Sequence, residues 1–218
     1  MSIHYEDEGL LLQVFVSGFS NNAWLVTSKS RNQSLIIDTP DDPHELLAAV
    51  QDTEIAAVLI THNHWDHLQG FEDVMRVLDA PVGIGEADAP EVEKTGTSPS
   101  IDVSDGALIA VGDLELRAIA TPGHTPGSTC YYLSLNSGHL FSGDTLFPGG
   151  PGRTGSPASL EQIIGSIGAK LLTLPPQTAV HPGHGDDTSV GEAKSDYDAF
   201  IARPRPEGLS GEVTWLGS

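Results

Sequence analysis

Apolar residues recur along this chain in short runs separated by turns rich in glycine, proline and aspartate, with stretches of helical spacing between them. Runs of strand type cover residues 10–16, 23–27 and 35–38. The spacing then predicts a helix with Asp42 as N-cap, Pro43 at the first helical position and Leu46, Leu47 and Val50 on its apolar face. A strand is expected over 56–60. Leu68, Phe71, Val74, Met75 and Leu78 fall at helical intervals, so His67 is expected to open a helix. Residues 81–84 read as a short strand, and 86–100, rich in Glu, Pro and Ser, as a variable excursion. Strand-like runs return at 107–111, 114–120, 129–135 and 139–142, followed by a Gly/Pro loop over 147–157. Leu160, Ile163, Ile164, Ile167 and Leu171 predict an amphipathic helix. A last strand over 178–180 and a helix over 190–201 complete the pattern. Residues 203–218 have weak periodicity and read as a tail appended to a single domain of residues 1–202. Strands and helices alternating in two blocks indicate a layered α/β protein.

Directly after the apolar run 56–60 comes Thr61-His62-Asn63-His64-Trp65-Asp66-His67. Imidazole and carboxylate are the ligands that zinc and similar cations prefer. On an extended segment His62 and His64 point the same way, because side-chain direction repeats every two residues. Asp66 and His67 then come round as the chain turns, facing a second position, so one segment can serve two adjacent metals. The spacing is not that of H-E-x-x-H, where two histidines sit one helical turn apart. Three more groups lie in turns that follow strand-like runs: His124 in Pro122-Gly123-His124-Thr125, Asp144 in Ser142-Gly143-Asp144-Thr145 and His184 in His181-Pro182-Gly183-His184. Short loops at strand ends are where a rigid scaffold places binding groups. Five histidines and two aspartates are enough for two cations with one shared carboxylate.

The order H-x-H-x-D-H, G-H-T, G-D and G-H resembles the metallo-β-lactamase superfamily and, within it, the glyoxalase II-like hydrolases. The resemblance implies a four-layer αβ/βα sandwich. It implies that His62, His64 and His124 hold a first metal, that Asp66, His67 and His184 hold a second, and that Asp144 bridges them. An aspartate at the bridging place, rather than cysteine or serine, is similar to the glyoxalase and lactonase branches. Two zinc ions per chain are expected, with iron or manganese as alternatives. They would hold a hydroxide that attacks a small thioester or ester, with Asp66 as ligand and proton acceptor together. Glyoxalase II proper has a further helical domain for glutathione, which this chain is too short to hold; that departure puts glutathione specificity in question. A mononuclear iron persulfide dioxygenase, using His62, His124 and Asp144, shares the motif order. Its Gly-Arg-Thr segment is similar to Gly152-Arg153-Thr154, although Gly155 stands where that branch commonly has aspartate. Lactone hydrolysis, phosphodiester cleavage and a non-enzymatic metal carrier are the remaining readings.

Composition narrows these. The 218 residues carry 30 acidic and 10 basic side chains, a formal charge of −20. That argues against nucleic acid, which needs Lys/Arg stripes, and against anionic membranes. It disfavours phosphodiester cleavage and leaves a small-molecule substrate. Cys130 is the only cysteine, so no intrachain disulfide is possible, and it reads as a small buried hydrophobe. The N-terminus is acidic and polar without a signal-peptide pattern, and no window approaches the ~20 apolar residues of a membrane span, so the cytoplasm is expected. Two residues are weighed as substrate contacts: Asn22, with turn capping as the alternative, and Arg153, for a substrate carboxylate or for ordering its loop. Trp65 would wall the pocket or pack under the ligand loop. His4, His44 and His139 read as surface residues, and His181 as lying close to the site.

Overall fold

The computed structural model describes residues 2–18 and 20–217; Met1, Phe19 and Ser218 lie outside them. Strands β1 (Ser2–Glu6), β2 (Leu10–Ser17), β3 (Asn21–Ser28), β4 (Gln33–Ile37), β5 (Glu54–Leu59) and β6 (Val82–Gly83) form a six-stranded sheet in sequence order. The later strands are β7 (Leu108–Val111), β8 (Leu114–Ala120), β9 (Thr129–Leu133), β10 (His139–Gly143), β11 (Leu146–Phe147), β12 (Gly150–Pro151), β13 (Ala179–Pro182) and β14 (Thr188–Ser189). Of these, β11 and β12 pair with each other, and the rest make a second six-stranded sheet in the order β14-β13-β10-β9-β8-β7. Helices α1 (His44–Ala49), α2 (Phe71–Val77) and α3 (Ala89–Glu93) cover the first sheet. Helices α4 (Pro157–Ser166), prolonged by a π-helical turn Ile167–Leu171, and α5 (Val190–Ile201) cover the second.

Three apolar clusters mark three interfaces between four layers. Between the sheets, Leu12, Trp24, Val26, Leu35 and Leu59 meet Val111, Leu116, Tyr131 and Phe141. Outside the first sheet, Leu25, Ile36 and Val58 meet Leu46, Phe71 and Val74. Outside the second, Cys130, Leu140 and Val180 meet Leu160, Ile163 and Phe200. The period of two explains β3: Trp24 and Val26 point between the sheets, Ala23 and Leu25 towards the helices. All eight residues of β3 are buried, the apolar run 23–26 at its centre and the polar Asn21, Asn22, Thr27 and Ser28 at its ends. The same sandwiching buries both Tyr131 and Tyr132 and the lone cysteine, whose thiol burial pushes up to about 11.

Several expectations change. Asp42 does not cap α1; it lies at φ 52°, Pro43 occupies the cap position, and no side chain caps the helix. His67 does not open a helix. It closes a single 3-10 turn, Trp65–His67, and α2 starts only at Phe71. Gly70 separates the two because the chain there presses against Pro40, where a Cβ would lie 2.0 Å from the carbonyl oxygen. The 86–100 excursion contains α3, and the 147–157 loop contains the β11–β12 hairpin. His139 is buried at 3% exposure, whereas His4 and His44 are exposed. No helix among the described residues is long and apolar enough to cross a membrane.

The segment after α5 packs back on the body. Thr154 and Gly211 form a β-bridge, Trp215 N–H donates to the Gly149 carbonyl at 2.7 Å, and the Arg203 guanidinium donates to the Trp215 carbonyl. The Trp215 ring is fully buried, 4.9 Å from Phe200 and 5.6 Å from Tyr197. Deleting so large a buried side chain leaves a cavity, so Trp215→Ala is expected to lower stability by about 3–5 kcal/mol, read from urea unfolding.

Candidate metal centre

Each element that supplies a site residue ends at the same edge of the sandwich. The parallel pairs β4–β5 and β10–β13 bring their C-terminal ends together there, the usual place for a ligand in an open α/β sheet. Asp38, in the left-handed conformation (φ 59°) just past β4, organises the first loop. Its Oδ1 accepts from Thr61 N–H and its Oδ2 from Thr61 Oγ1, both at 2.8 Å. His67 Nδ1 donates to the same Oδ2 at 2.9 Å, which leaves His67 Nε2 facing the site. His124 is aimed likewise: Nδ1 donates to the Arg153 carbonyl at 2.8 Å, so Nε2 points inward.

All seven predicted ligand groups converge. His124 Nε2 lies 3.3 Å from His62 Nε2 and 2.9 Å from His64 Nδ1. His184 Nε2 lies 3.3 Å from His67 Nε2 and 3.2 Å from Asp66 Oδ2. Asp144 stands between these groups. Its Oδ2 is 3.6 Å from both His124 Nε2 and His184 Nε2, and its Oδ1 is 3.4 Å from His67 Nε2. That Oδ1 is buried and has no hydrogen-bond partner among the described residues. The donors fit divalent cations on two counts. Ligand atoms of each triad, His62–His64–His124 and Asp66–His67–His184, lie within 4.8 Å of one another. Tetrahedral zinc needs neighbouring ligand atoms about 3.4 Å apart. The buried carboxylate oxygen, short of a hydrogen-bond donor, has only the His67 imidazole 3.4 Å away to offset its burial.

The electrostatics agree. Burial, then His67, push the His62 imidazole well below its ordinary pKa against the pull of Asp144. Burial and His124 lower His64. Both are therefore neutral, the form that binds metal. Burial opposes a charge on His67 too, but Asp38 and Asp144 outweigh it and hold the group at about 10. Burial would raise Asp144; contact with His67 and the fields of His62 and His124 outweigh it and keep the carboxyl ionised, below the usual carboxylate range.

Of the weaker candidates, Asn22 is buried and spends its amide on the Pro182 and Gly185 carbonyls at 3.1 and 2.9 Å, bracing the back of the His184 loop. Its neighbour Asn21 is the one that reaches the site, donating to Asp66 Oδ2 at 3.0 Å. Alternation along β3 accounts for the exchange. The Arg153 side chain is exposed on the rim of a cavity of about 340 Å³ that His124, Asp144, His184, Phe147 and Thr214 also line. Trp65 is 60% exposed and does not line that cavity. A larger cavity of about 530 Å³, beside Ile84 and Val103, contains none of the seven groups.

Asp88 is missed by the sequence reading, which put it in a variable excursion. It is fully buried and accepts from Asn63 N–H at 3.1 Å, Thr125 Oγ1 at 2.6 Å and Gly127 N–H at 2.9 Å, tying the His62–His67 segment to the His124 loop. Asp38 is missed too, because as the last residue of the strand-like run 35–38 only its position at the end of a buried strand marks it.

Comparison with known proteins agrees with this geometry. A family model described as the metallo-beta-lactamase superfamily matches residues 16–196. A hydroxyacylglutathione hydrolase of Maricaulis maris is 32% identical over 215 residues, spanning 94% of this chain and 80% of the relative. Among solved structures, ETHE1 from Myxococcus xanthus is similar with TM-score 0.74 and 26% identity, over 88% of this chain and 85% of that one. TTHA1623 in a di-iron-bound form is similar with TM-score 0.69 and 32% identity, over 83% and 96%.

Two substitutions test the supports. Asp88→Ala strands buried donors and is expected to cost about 1–3 kcal/mol in urea unfolding, with Asp88→Asn costing less. A Cβ on Gly183 would lie 2.4 Å from Asp144 Oδ1 and 2.6 Å from His67 Cε1. Gly183→Ala is expected to weaken metal binding about 10–100-fold in competition with a chelator, while the chain stays folded.

Proposed function

This chain belongs to the metallo-β-lactamase superfamily, and within it we propose that it is a dinuclear metal-dependent hydrolase of small thioesters or esters. The hydrolase relative supports metal-dependent hydrolysis as the reaction class. The observation that carries the dinuclear reading is Asp144, whose buried carboxylate stands between two separate ligand triads. His62, His64 and His124 would hold the first cation, Asp66, His67 and His184 the second, and Asp144 would reach both; zinc suits this donor set, as do iron and manganese. When bound, such cations polarise the scissile carbonyl and acidify the attacking water towards neutrality.

The chain's own groups do the rest. Asp66 Oδ2 takes up the proton of the attacking water and returns it to the departing thiolate or alkoxide, and Asn21 fixes that oxygen at 3.0 Å. Phe147 and residues 212–214 limit the cavity to a small acyl compound. The Arg153 guanidinium at its rim offers a partner to a substrate carboxylate.

The likeness to ETHE1 supports a second reading, oxygen-dependent chemistry at one iron held by His62, His124 and Asp144. That reading leaves Asp66, His67 and His184 converged without a task.

Metal content by mass spectrometry, with turnover of a thioester panel, separates the two. The hydrolase reading expects about two divalent ions per chain, thioester cleavage, and a loss of about 10²–10⁴-fold in kcat for Asp66→Ala. One iron per chain with oxygen uptake on a thiol persulfide would establish the second reading instead. If Asp144→Ala kept both its metal and its rate, the bridging role would be wrong.

A further inference from the structure

Outside the seven-residue centre lies a second convergence of metal-binding groups, built from elements far apart in sequence. His4 on β1 belongs to the first sheet and His181 on β13 to the second, while Asp187 follows the His184 loop. His4 Nε2 lies 2.7 Å and His181 Nδ1 2.9 Å from a single oxygen, Asp187 Oδ2. The three ligand atoms lie within 4.8 Å of one another. We propose that His4, His181 and Asp187 form a separate binding site for a divalent transition-metal ion, fastening the open edge of the first sheet to the His184 loop.

The site is prearranged. The His181 ring is 2% exposed and held between neighbours: Trp24 at 4.7 Å, Phe141 at 5.2 Å and His139 stacked at 5.3 Å. Trp24 also meets the His4 ring edge-on at 4.8 Å. Two imidazoles and one carboxylate suit zinc, copper, nickel or iron, and the choice follows geometry and supply. Neighbouring ligand atoms around tetrahedral zinc are about 3.4 Å apart, so the two histidine nitrogens, now 2.7 and 2.9 Å from Asp187 Oδ2, need move only a little to admit an ion. His4 and Asp187 are each 31% exposed, so an ion can enter and keep water on its open side.

His181 can bind through Nδ1 only if its proton sits on Nε2. His139 Nδ1, 3.0 Å away, is placed to accept that proton, the hydrogen-bonded support that ligand histidines usually have. The formal charge of −20 adds a field that concentrates cations at the surface.

The test counts zinc by mass spectrometry on the folded chain with its catalytic ions in place, after incubation with zinc and desalting. The wild type is expected to hold one ion more than His4→Ala and one more than Asp187→Asn. His44→Ala, which removes an exposed histidine elsewhere, should keep the wild-type count. The readout is a difference, so it holds whatever number the catalytic centre binds. Free zinc at 100 times its dissociation constant should also raise the Tm of the wild type by about 5–10 °C more than that of His4→Ala. Equal counts in the wild type and His4→Ala, or an ion lost equally in His44→Ala, would overturn the site and leave a hydrogen-bonded brace.

Discussion

The buried Asp144 carboxylate is the constraint on which the rest depends. An ion removed from water costs several kcal/mol unless charge and hydrogen bonds compensate it. Here five imidazoles surround or approach the group, one carboxylate oxygen has no hydrogen-bond donor, and His67, raised by Asp38 and Asp144, offers a positive charge in the absence of metal. Apolar layers cannot relieve that demand, and a divalent cation on each side can. The crowding of nitrogen lone pairs at 2.9–3.3 Å would be resolved by the same ions. Stability and the proposed chemistry would then meet at one group, because what makes the centre costly without metal would favour metal binding.

Holding seven groups in that state requires supports that stand outside the seven. Asp38 fixes His67 and Thr61, the Arg153 carbonyl fixes His124, Asp88 joins two loops, and Asn21 and Asn22 secure Asp66 and the His184 loop. Glycines permit the approach. A side chain at Gly152 would place its Cβ 1.8 Å from the Asp144 carbonyl oxygen, and one at Gly183 would strike the Asp144 carboxylate itself. Because the loops emerge from strands buried on both faces, the supports stand on rigid sheet ends.

How much of this the sequence discloses follows from distance along the chain. The strands β2, β3, β8 and β10 and helix α5 are legible because apolar periodicity is local. The candidate ligands that converge are legible because four of them fall within His62–His67 and the others sit in turns of similar type. Asp88 is not, since its partners Asn63, Thr125 and Gly127 lie 25–39 residues away and only folding unites them. The same holds for Asp38 with His67, 29 residues apart. His139 misled for a different reason: a lone histidine at a strand start looks solvated, and only the pairing of β10 with β13 shows it beside His181. Asn21 and Asn22 differ by one position, and β3 register, set by its pairing with β2, decides which faces the site.

The acidity of the chain acts at two ranges. At long range a charge of −20 repels anionic substrates, but salt screens exposed charges beyond about 8 Å at physiological ionic strength. Within that distance of the centre, two divalent cations and the Arg153 guanidinium would reverse the sign, so the cavity would be positive inside a negative shell. Such a shell favours cation capture at Asp66, Asp144 and Asp187, and it sets substrate preference through the cavity rather than through the surface. On the proposed function, the residues that line the cavity, Arg153, Phe147 and Thr214, are therefore where substrate selectivity would be built.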